Sequence, residues 1–281
     1  MPLANLAEIA AACQSEGTGL GAFNVVQVET AEVLVDAATA ADRPVVLQIS
    51  QNAVRYHGGR LAPIAQASLA VAKTAEVPVV LHLDHADDLR LVHEAVDLGF
   101  SSVMYDGSHL DYEQNVATTA DVVAHCRARG VTVEAELGEV GGKDGVHAPG
   151  VRTDPGDAAR FVAATGVDLL AVAVGSSHAM TERSATLDVE RIAELAAAVP
   201  VPLVLHGSSG VSDEGMRAAI EAGMTKINVS THLNVLFTGA VRDYLAEHPD
   251  VVDPRKYLAA GNAVVRPEVE RLLRWYAGAG G

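Results

Sequence analysis

Residues 81 to 88 read Leu-His-Leu-Asp-His-Ala-Asp-Asp. A run that begins as an apolar strand, Pro78-Val79-Val80-Leu81, thus ends by crowding His82, Asp84, His85, Asp87 and Asp88 together. Imidazoles and carboxylates at this density can bind a metal, move protons or cap a helix, and their spacing separates these roles. His85 ends this run, His206 ends another, and His178 follows a third. One strand-end histidine is more often a hydrogen-bonded structural residue than a ligand. Three that point into one mouth offer three neutral nitrogens and leave the fourth position of a tetrahedral Zn2+ open, which is the catalytic arrangement. His82 is an odd number of positions from His85, so on a regular strand it faces the other way and is expected to be structural. Asp84 also alternates with His85, and is expected to lean over the mouth through the twist and turn into Ala86. Asp87 and Asp88 are expected to cap the helix that starts near Leu89.

Positioning such groups requires a repeating frame, and one is legible. β-rich runs occur at Gly19 to Val25, Pro44 to Ser50, Pro78 to His85, Ser101 to Asp106, Thr132 to Gly138, Asp168 to Gly175, Pro202 to Gly207 and Lys226 to Thr231. Each precedes an Ala-rich stretch with apolar residues at helical spacing, such as Ala31 to Ala41, Leu61 to Ala75 and Val189 to Ala198. Asp154-Pro155 supplies an N-cap and a first-turn proline, and Gly166 closes that helix. Gly99, Gly130 and Gly223 stand at the equivalent place in their own units.

Near-continuous apolar strands joined by helices call for a parallel sheet covered on both faces. Eight units predict an α/β fold, a (β/α)8 TIM barrel, with extra C-terminal helices in Val251 to Gly281 and a single domain over residues 1–281. An open doubly wound sheet is the rival, but Ala22-Phe23-Asn24-Val25 carries no Gly-rich phosphate fingerprint. The barrel also requires the polar residues to collect at the C-terminal ends of the strands. They do: Asn24, Ser50-Gln51-Asn52, Asp84-His85, Asp106, Glu134 and Glu136, His178, His206-Gly207, and Asn228-Val229-Ser230-Thr231.

Composition narrows the partners. Of the 281 residues, 49% are apolar, and 36 acidic side chains against 20 Lys plus Arg give a net charge of −16. No basic stretch could neutralise a row of phosphates, so nucleic acid is excluded as an expected partner. An anionic substrate must instead be caught locally by backbone N–H groups or one or two cations, and the turn Gly207-Ser208-Ser209-Gly210 suits that task. No membrane span or signal peptide is evident. Cys13 and Cys126 have neither metal-type nor redox-type spacing, and a reduced cytoplasmic setting is expected.

These residues resemble the class II metal-dependent ketose-bisphosphate aldolases, which include fructose-bisphosphate and tagatose-bisphosphate aldolases. The resemblance covers nearly the whole chain and rests on six motifs in order: residues 82–85 (His-Leu-Asp-His), 134–138 (Glu-Ala-Glu-Leu-Gly), 141–145 (Gly-Gly-Lys-Asp-Gly), 166–175 with His178, 205–210 (Leu-His-Gly-Ser-Ser-Gly) and 226–231 (Lys-Ile-Asn-Val-Ser-Thr). It implies that His85, His178 and His206 hold Zn2+, with Glu136 as the carboxylate of an alternative metal position. Asp84 is then the acid that protonates the aldehyde-derived oxygen. Asn24, Ser50, Gly207, Ser209, Asn228, Ser230 and Thr231 are the implied substrate-binding residues, with Gly207, Ser209, Asn228 and Thr231 on the triose phosphate. A monovalent cation, Na+ or K+, and a homodimer or homotetramer are implied in the same way. The expected reaction is reversible cleavage of a ketose 1,6-bisphosphate, fructose 1,6-bisphosphate first, to dihydroxyacetone phosphate and glyceraldehyde 3-phosphate. A metal that grips the carbonyl and hydroxyl oxygens spreads the charge of the enediolate left behind.

Three departures from the family pattern stand out. Asp144 is the candidate base for the carbon-bound proton, carried on a Gly-flanked loop, where the family usually has the longer Glu followed by another acid. A loss of reach of about 1 Å there corresponds to a cost on the order of 10²-fold in rate unless the loop compensates. Ala179 stands where a Gly usually follows the second zinc histidine, and Ser230 matches neither the Asp of one fructose-bisphosphate branch nor the Ala of the tagatose branch. Sugar stereochemistry therefore stays open between fructose, tagatose and deoxy-sugar phosphates. A non-catalytic barrel is a further alternative. A Schiff-base aldolase needs a lysine near a strand's C-terminal end. Lys73 lies in a helix, Lys143 in the loop, Lys226 at the opening end of its strand and Lys256 in the terminal region. A metal-hydrolase barrel typically carries His-x-His on its first strand, which here ends in Asn24.

Overall fold

The computed structural model describes residues 3–138 and 152–278. Helix α1 (Leu6–Glu16) leads into β1 (Leu20–Asn24), α2 (Val28–Ala41), β2 (Val45–Ser50), α3 (Gln51–Tyr56), α4 (Ala62–Thr74) and β3 (Val79–Ala86). Then come α5 (Leu89–Leu98), β4 (Ser102–Tyr105), α6 (Tyr112–Arg127), β5 (Thr132–Leu137), α7 (Pro155–Thr165) and β6 (Leu169–Val172). The chain continues through α8 (Val189–Ala198), β7 (Leu203–Leu205), a 3-10 turn (Ser208–Gly210), α9 (Asp213–Glu221), β8 (Met224–Val229), α10 (Thr231–Glu247) and α11 (Pro254–Tyr276). The strands form a closed parallel barrel in chain order, with β8 paired to β1. The TIM barrel expected from the alternating units is therefore the fold. Among the described residues no helix is long and apolar enough to cross a membrane.

Side chains that leave the two faces of the sheet have different fates. Outward residues such as Val45, Leu47, Ile49, Leu81, Leu83, Val103 and Ile227 join the apolar layer between sheet and helices. Inward residues near the N-terminal ends, Leu20, Ala22, Val46, Val80, Leu169, Ala171 and Val204, form a separate apolar floor closed from outside by Leu6 and Ala10 of α1. Higher up, the interior turns polar: Gln48, His82, Ser102, Glu134 and Lys226 are all at most 1% exposed. An apolar floor beneath a polar mouth is the usual division of labour in this fold.

Local signals end the helices as read. Asp154 accepts a hydrogen bond from the Asp157 amide ahead of Pro155, and Gly166 stops α7 in the left-handed region. Gly99 does the same for α5. Gly261 is required by packing, since a Cβ there would sit 2.5 Å from the Phe237 ring where α11 crosses α10.

Several local expectations are corrected. The second strand ends at Ser50 as read, but Gln51 and Asn52, expected at its end, open α3, which the Ser50 side chain caps. β8 starts at Met224 rather than at Lys226. Asp88 alone caps α5, accepting from the Arg90 amide, whereas Asp87 is held by Gln51 from the neighbouring unit, Nε2 to Oδ1 at 2.6 Å.

Candidate active site

β3 delivers its polar residues in an order that differs from the simple alternation. His82 and Asp84 continue the inward face begun by Val80, so His82 points into the barrel, where its Nδ1 lies 2.8 Å from Ser102 Oγ. His85 belongs by alternation to the outer face. It reaches the mouth because its backbone turns left-handed, φ 48°, and the β3–β4 register shifts between Leu83 and Ala86. Thus His85, not Asp84, leaves the regular strand geometry. Positive φ in a non-glycine residue is uncommon and occurs where surrounding structure enforces it.

That turn brings three imidazoles together. One ring nitrogen or another from each of His85, His178 and His206 lies within 4.8 Å of the others. His85 Nδ1 is 3.1 Å from Asp106 Oδ2, while its buried Nε2 has no hydrogen-bond partner among the described residues. A histidine oriented by a carboxylate, with its second nitrogen aimed inward, is the arrangement that a metal ligand needs. His85, Asp106 and Glu136 form a second group of the same compactness, which involves the carboxylate expected to serve an alternative metal position. The donor set therefore fits a divalent cation.

His206 is fully buried between two carboxylates, with Nδ1 2.8 Å from Glu136 and Nε2 3.0 Å from Glu134. Burial alone would lower its pKa, but the bonds to Glu134 and Glu136 prevail and raise it to about 9. A metal ligand must be the neutral imidazole, so a cation held by His206 would compete with these carboxylate bonds. His82 moves oppositely, to about 3, through burial and then the nearby Lys226 ammonium. For Asp84 burial acts upward, but the charges of His85, Lys226 and His206 bring its carboxyl below its usual range. It is a carboxylate at neutral pH.

Asn24, Ser50, Asp84, His85, His178, Gly207, Ser209, Asn228, Ser230 and Thr231 all line one cavity of about 350 Å³ at the C-terminal ends of the strands. His206 and Glu136 stand behind its wall, tied to it through the His85 and His178 rings, whose centroids lie 4.4 and 5.9 Å from that of His206. Asp144 and the rest of the 141–145 motif lie outside the described residues.

The Gly207 turn is built for close approach. Gly207 has φ 65°, and a Cβ on it would meet the Ser177 carbonyl carbon at 2.6 Å. Ser209 Oγ accepts from the His232 amide at 3.1 Å, in the first turn of α10, while Ser230 makes no side-chain capping bond there. Amides at such an end suit an anion. Ala179 also lines the cavity, and its φ of 59° is the backbone conformation that a glycine would take.

Sequence reasoning assigns no role to several other residues of the site. Gln48 donates to Asn24 at 2.7 Å, and Gln51 and Arg55 line the cavity from α3. Asp106 and Glu134 were visible as strand-end carboxylates, but only the fold shows what each one orients. Lys226, read as lying at the opening of its strand, is wholly buried in the polar interior, 2.9 Å from Glu134. It does not line the cavity, so it is no Schiff-base lysine. His232, without an assigned partner in the sequence, pairs with Glu268 at 2.7 Å.

Comparison with known proteins completes the description. The family model "Fructose-bisphosphate aldolase class-II" matches residues 4–281. A fructose-bisphosphate aldolase of Giardia intestinalis is 37% identical, covering 100% of this chain and 94% of the relative. One from Staphylococcus epidermidis is also 37% identical, over 98% and 97%. Among solved structures, the YdjI aldolase of Escherichia coli K12 superposes with a TM-score of 0.83 at 30% identity, covering 99% of this chain and 98% of that one.

Proposed function

The chain belongs to the class II fructose-bisphosphate aldolase family, and from that premise we propose that it reversibly cleaves fructose 1,6-bisphosphate to dihydroxyacetone phosphate and glyceraldehyde 3-phosphate. The observation that carries this reading is the compact His85, His178 and His206 group, of which His85 and His178 line a single cavity beside Asp84. These histidines would hold Zn2+, with Glu136 at an alternative position. When bound, the cation supplies a Lewis acid for the negative charge that develops on the three-carbon half as the carbon–carbon bond breaks.

The chain's own residues account for the remaining steps. Asp84, ionised, accepts the proton of the C4 hydroxyl during cleavage and returns it to the aldehyde oxygen during synthesis. Asn228 fixes that carboxylate, its Nδ2 donating to Asp84 Oδ1 at 3.2 Å. Gly207, Ser209, Asn228 and Thr231 hold the triose phosphate against the amides that open α10, and Asn24, Ser50 and Ser230 line the sugar's path. A monovalent cation, Na+ or K+, belongs beside that phosphate in the same reading. Asp144 is the base for the carbon-bound proton in the synthetic direction.

The reading extends to the whole chain as one catalytic domain in a cytoplasmic setting, which its two free cysteines suit. Exposed Val235 and Leu245 on α10 and Val264 on α11 support assembly as a homodimer or homotetramer.

The test is cleavage of fructose 1,6-bisphosphate and tagatose 1,6-bisphosphate by purified protein, after chelation and again after Zn2+ is restored. Activity that is lost and returns, with fructose 1,6-bisphosphate the faster substrate, is the expected result. Turnover that survives chelation overturns the metal role, and a faster tagatose reaction overturns the choice of sugar.

A further inference from the structure

A lysine with no exposed surface is unusual and calls for a reason beyond the fold. Lys226 has 0% exposure and three donors, and among the described residues its close partners are Asn228 Oδ1 at 2.8 Å and Glu134 Oε2 at 2.9 Å. Each partner leads to a different part of the chemistry. Asn228 passes on to Asp84. Glu134 passes through its other oxygen to His206, which meets Glu136.

The first arm has directional content. An ammonium group can only donate, so the side-chain oxygen of Asn228 must face Lys226 and its NH2 must face Asp84. Without the ammonium, the amide oxygen loses the donor that anchors it, and Asn228 holds Asp84 from one end only. The second arm works by charge, since the lysine holds one carboxylate oxygen of Glu134 and leaves the other for His206.

We propose that Lys226 is the positioning residue that sets both Asp84 and the histidine group, acting through Asn228 and Glu134 and touching neither substrate nor metal. This inference rests on the roles proposed above for Asp84 and the histidines.

The test compares wild type with Lys226→Met and Lys226→Gln, the second keeping a neutral donor for the two acceptors should the first fail to fold. For each folded protein, kcat and KM for fructose 1,6-bisphosphate are measured, together with Zn2+ affinity by competition with a chromophoric chelator in the absence of substrate. For Lys226→Met, kcat is expected to fall on the order of 10²-fold with KM changed by less than about threefold. Zn2+ affinity is expected to fall about 10-fold, the size of effect seen when residues that orient ligands are lost. Lys226→Gln should recover part of kcat, because it can again fix the Asn228 amide.

A folded variant with kcat and Zn2+ affinity within about twofold of wild type would refute the assignment, and so would failure of both variants to fold, which makes the residue purely structural. Wild-type protein inactive on the bisphosphate would instead overturn the proposed function, and the substrate-free Zn2+ affinities would still decide whether Lys226 orders the histidines.

Discussion

Asp106 and His85 are joined at 3.1 Å, and Asp106 is itself pinned by the amide and hydroxyl of Ser108 at 3.2 and 2.6 Å. The imidazole therefore has a set rotation although its backbone is strained. Asp106→Ala removes the restraint and leaves the ring in place. Zn2+ affinity should fall about 10- to 100-fold with the far-ultraviolet circular dichroism unchanged. An unaltered affinity would mean that packing alone orients His85.

Asp84 is buried and ionised, and its partner Asn228 holds it through an amide NH2. Asp84→Asn keeps the shape but cannot carry the proton. The expected kcat loss is about 10²- to 10⁴-fold with Zn2+ still bound, measured by steady-state kinetics and metal analysis of the same sample. A smaller loss would assign the proton to another group.

Ala179 occupies φ 59°, where an L-residue pays roughly 1–2 kcal/mol that glycine avoids. Part of that gain is offset by the greater freedom of glycine in the unfolded chain. Ala179→Gly should raise Tm by about 2 °C in a chain of this size. A lowered Tm would show that the methyl group contributes packing that outweighs the strain.

Away from the cavity, Arg271 ties Glu268 on α11 to Asp213 on α9, and His232 on α10 closes on the same carboxylate. Burial would raise the Glu268 pKa, but hydrogen bonds from Arg271 and His232 outweigh it and bring the value to about 2 from an ordinary 4.5. A depressed carboxyl contributes stability above its unfolded pKa and loses it as pH falls through the folded one. The stability difference between wild type and Glu268→Gln should thus be constant above pH 4.5 and shrink steadily toward pH 2. Denaturant melts across that window measure it, and a difference independent of pH would assign the stabilisation to packing.

Much of this was legible because strand and helix periods are local. Val80, His82 and Asp84 share one face by simple alternation, and the polar strand ends mark the mouth without any knowledge of long-range contacts. What escaped was set by partners distant in sequence. The left-handed turn at His85 breaks the alternation of its strand, and it coincides with a β3–β4 register shift that no local pattern announces. Asp87 has the local signature of a cap, yet Gln51 claims it. Lys226 reads as the polar start of a strand until Glu134 is seen across the barrel. Ala179 is recognisable as a departure by resemblance, but the strain it bears is a property of the fold.

Closure of the ring also has a consequence for how the molecule comes into being. β1 is made early and its outer edge pairs only with β8, close to the end of the chain. Until β8 is synthesised, the edges of β1 and β7 both expose unpaired amides, a state prone to mispairing. The strand that ends this exposure carries Lys226 and Asn228 inward. The pairing that seals the sheet thus also brings in the cation of the polar interior, and a ring left open at that seam lacks the contacts of Lys226 and Asn228 to Glu134 and Asp84.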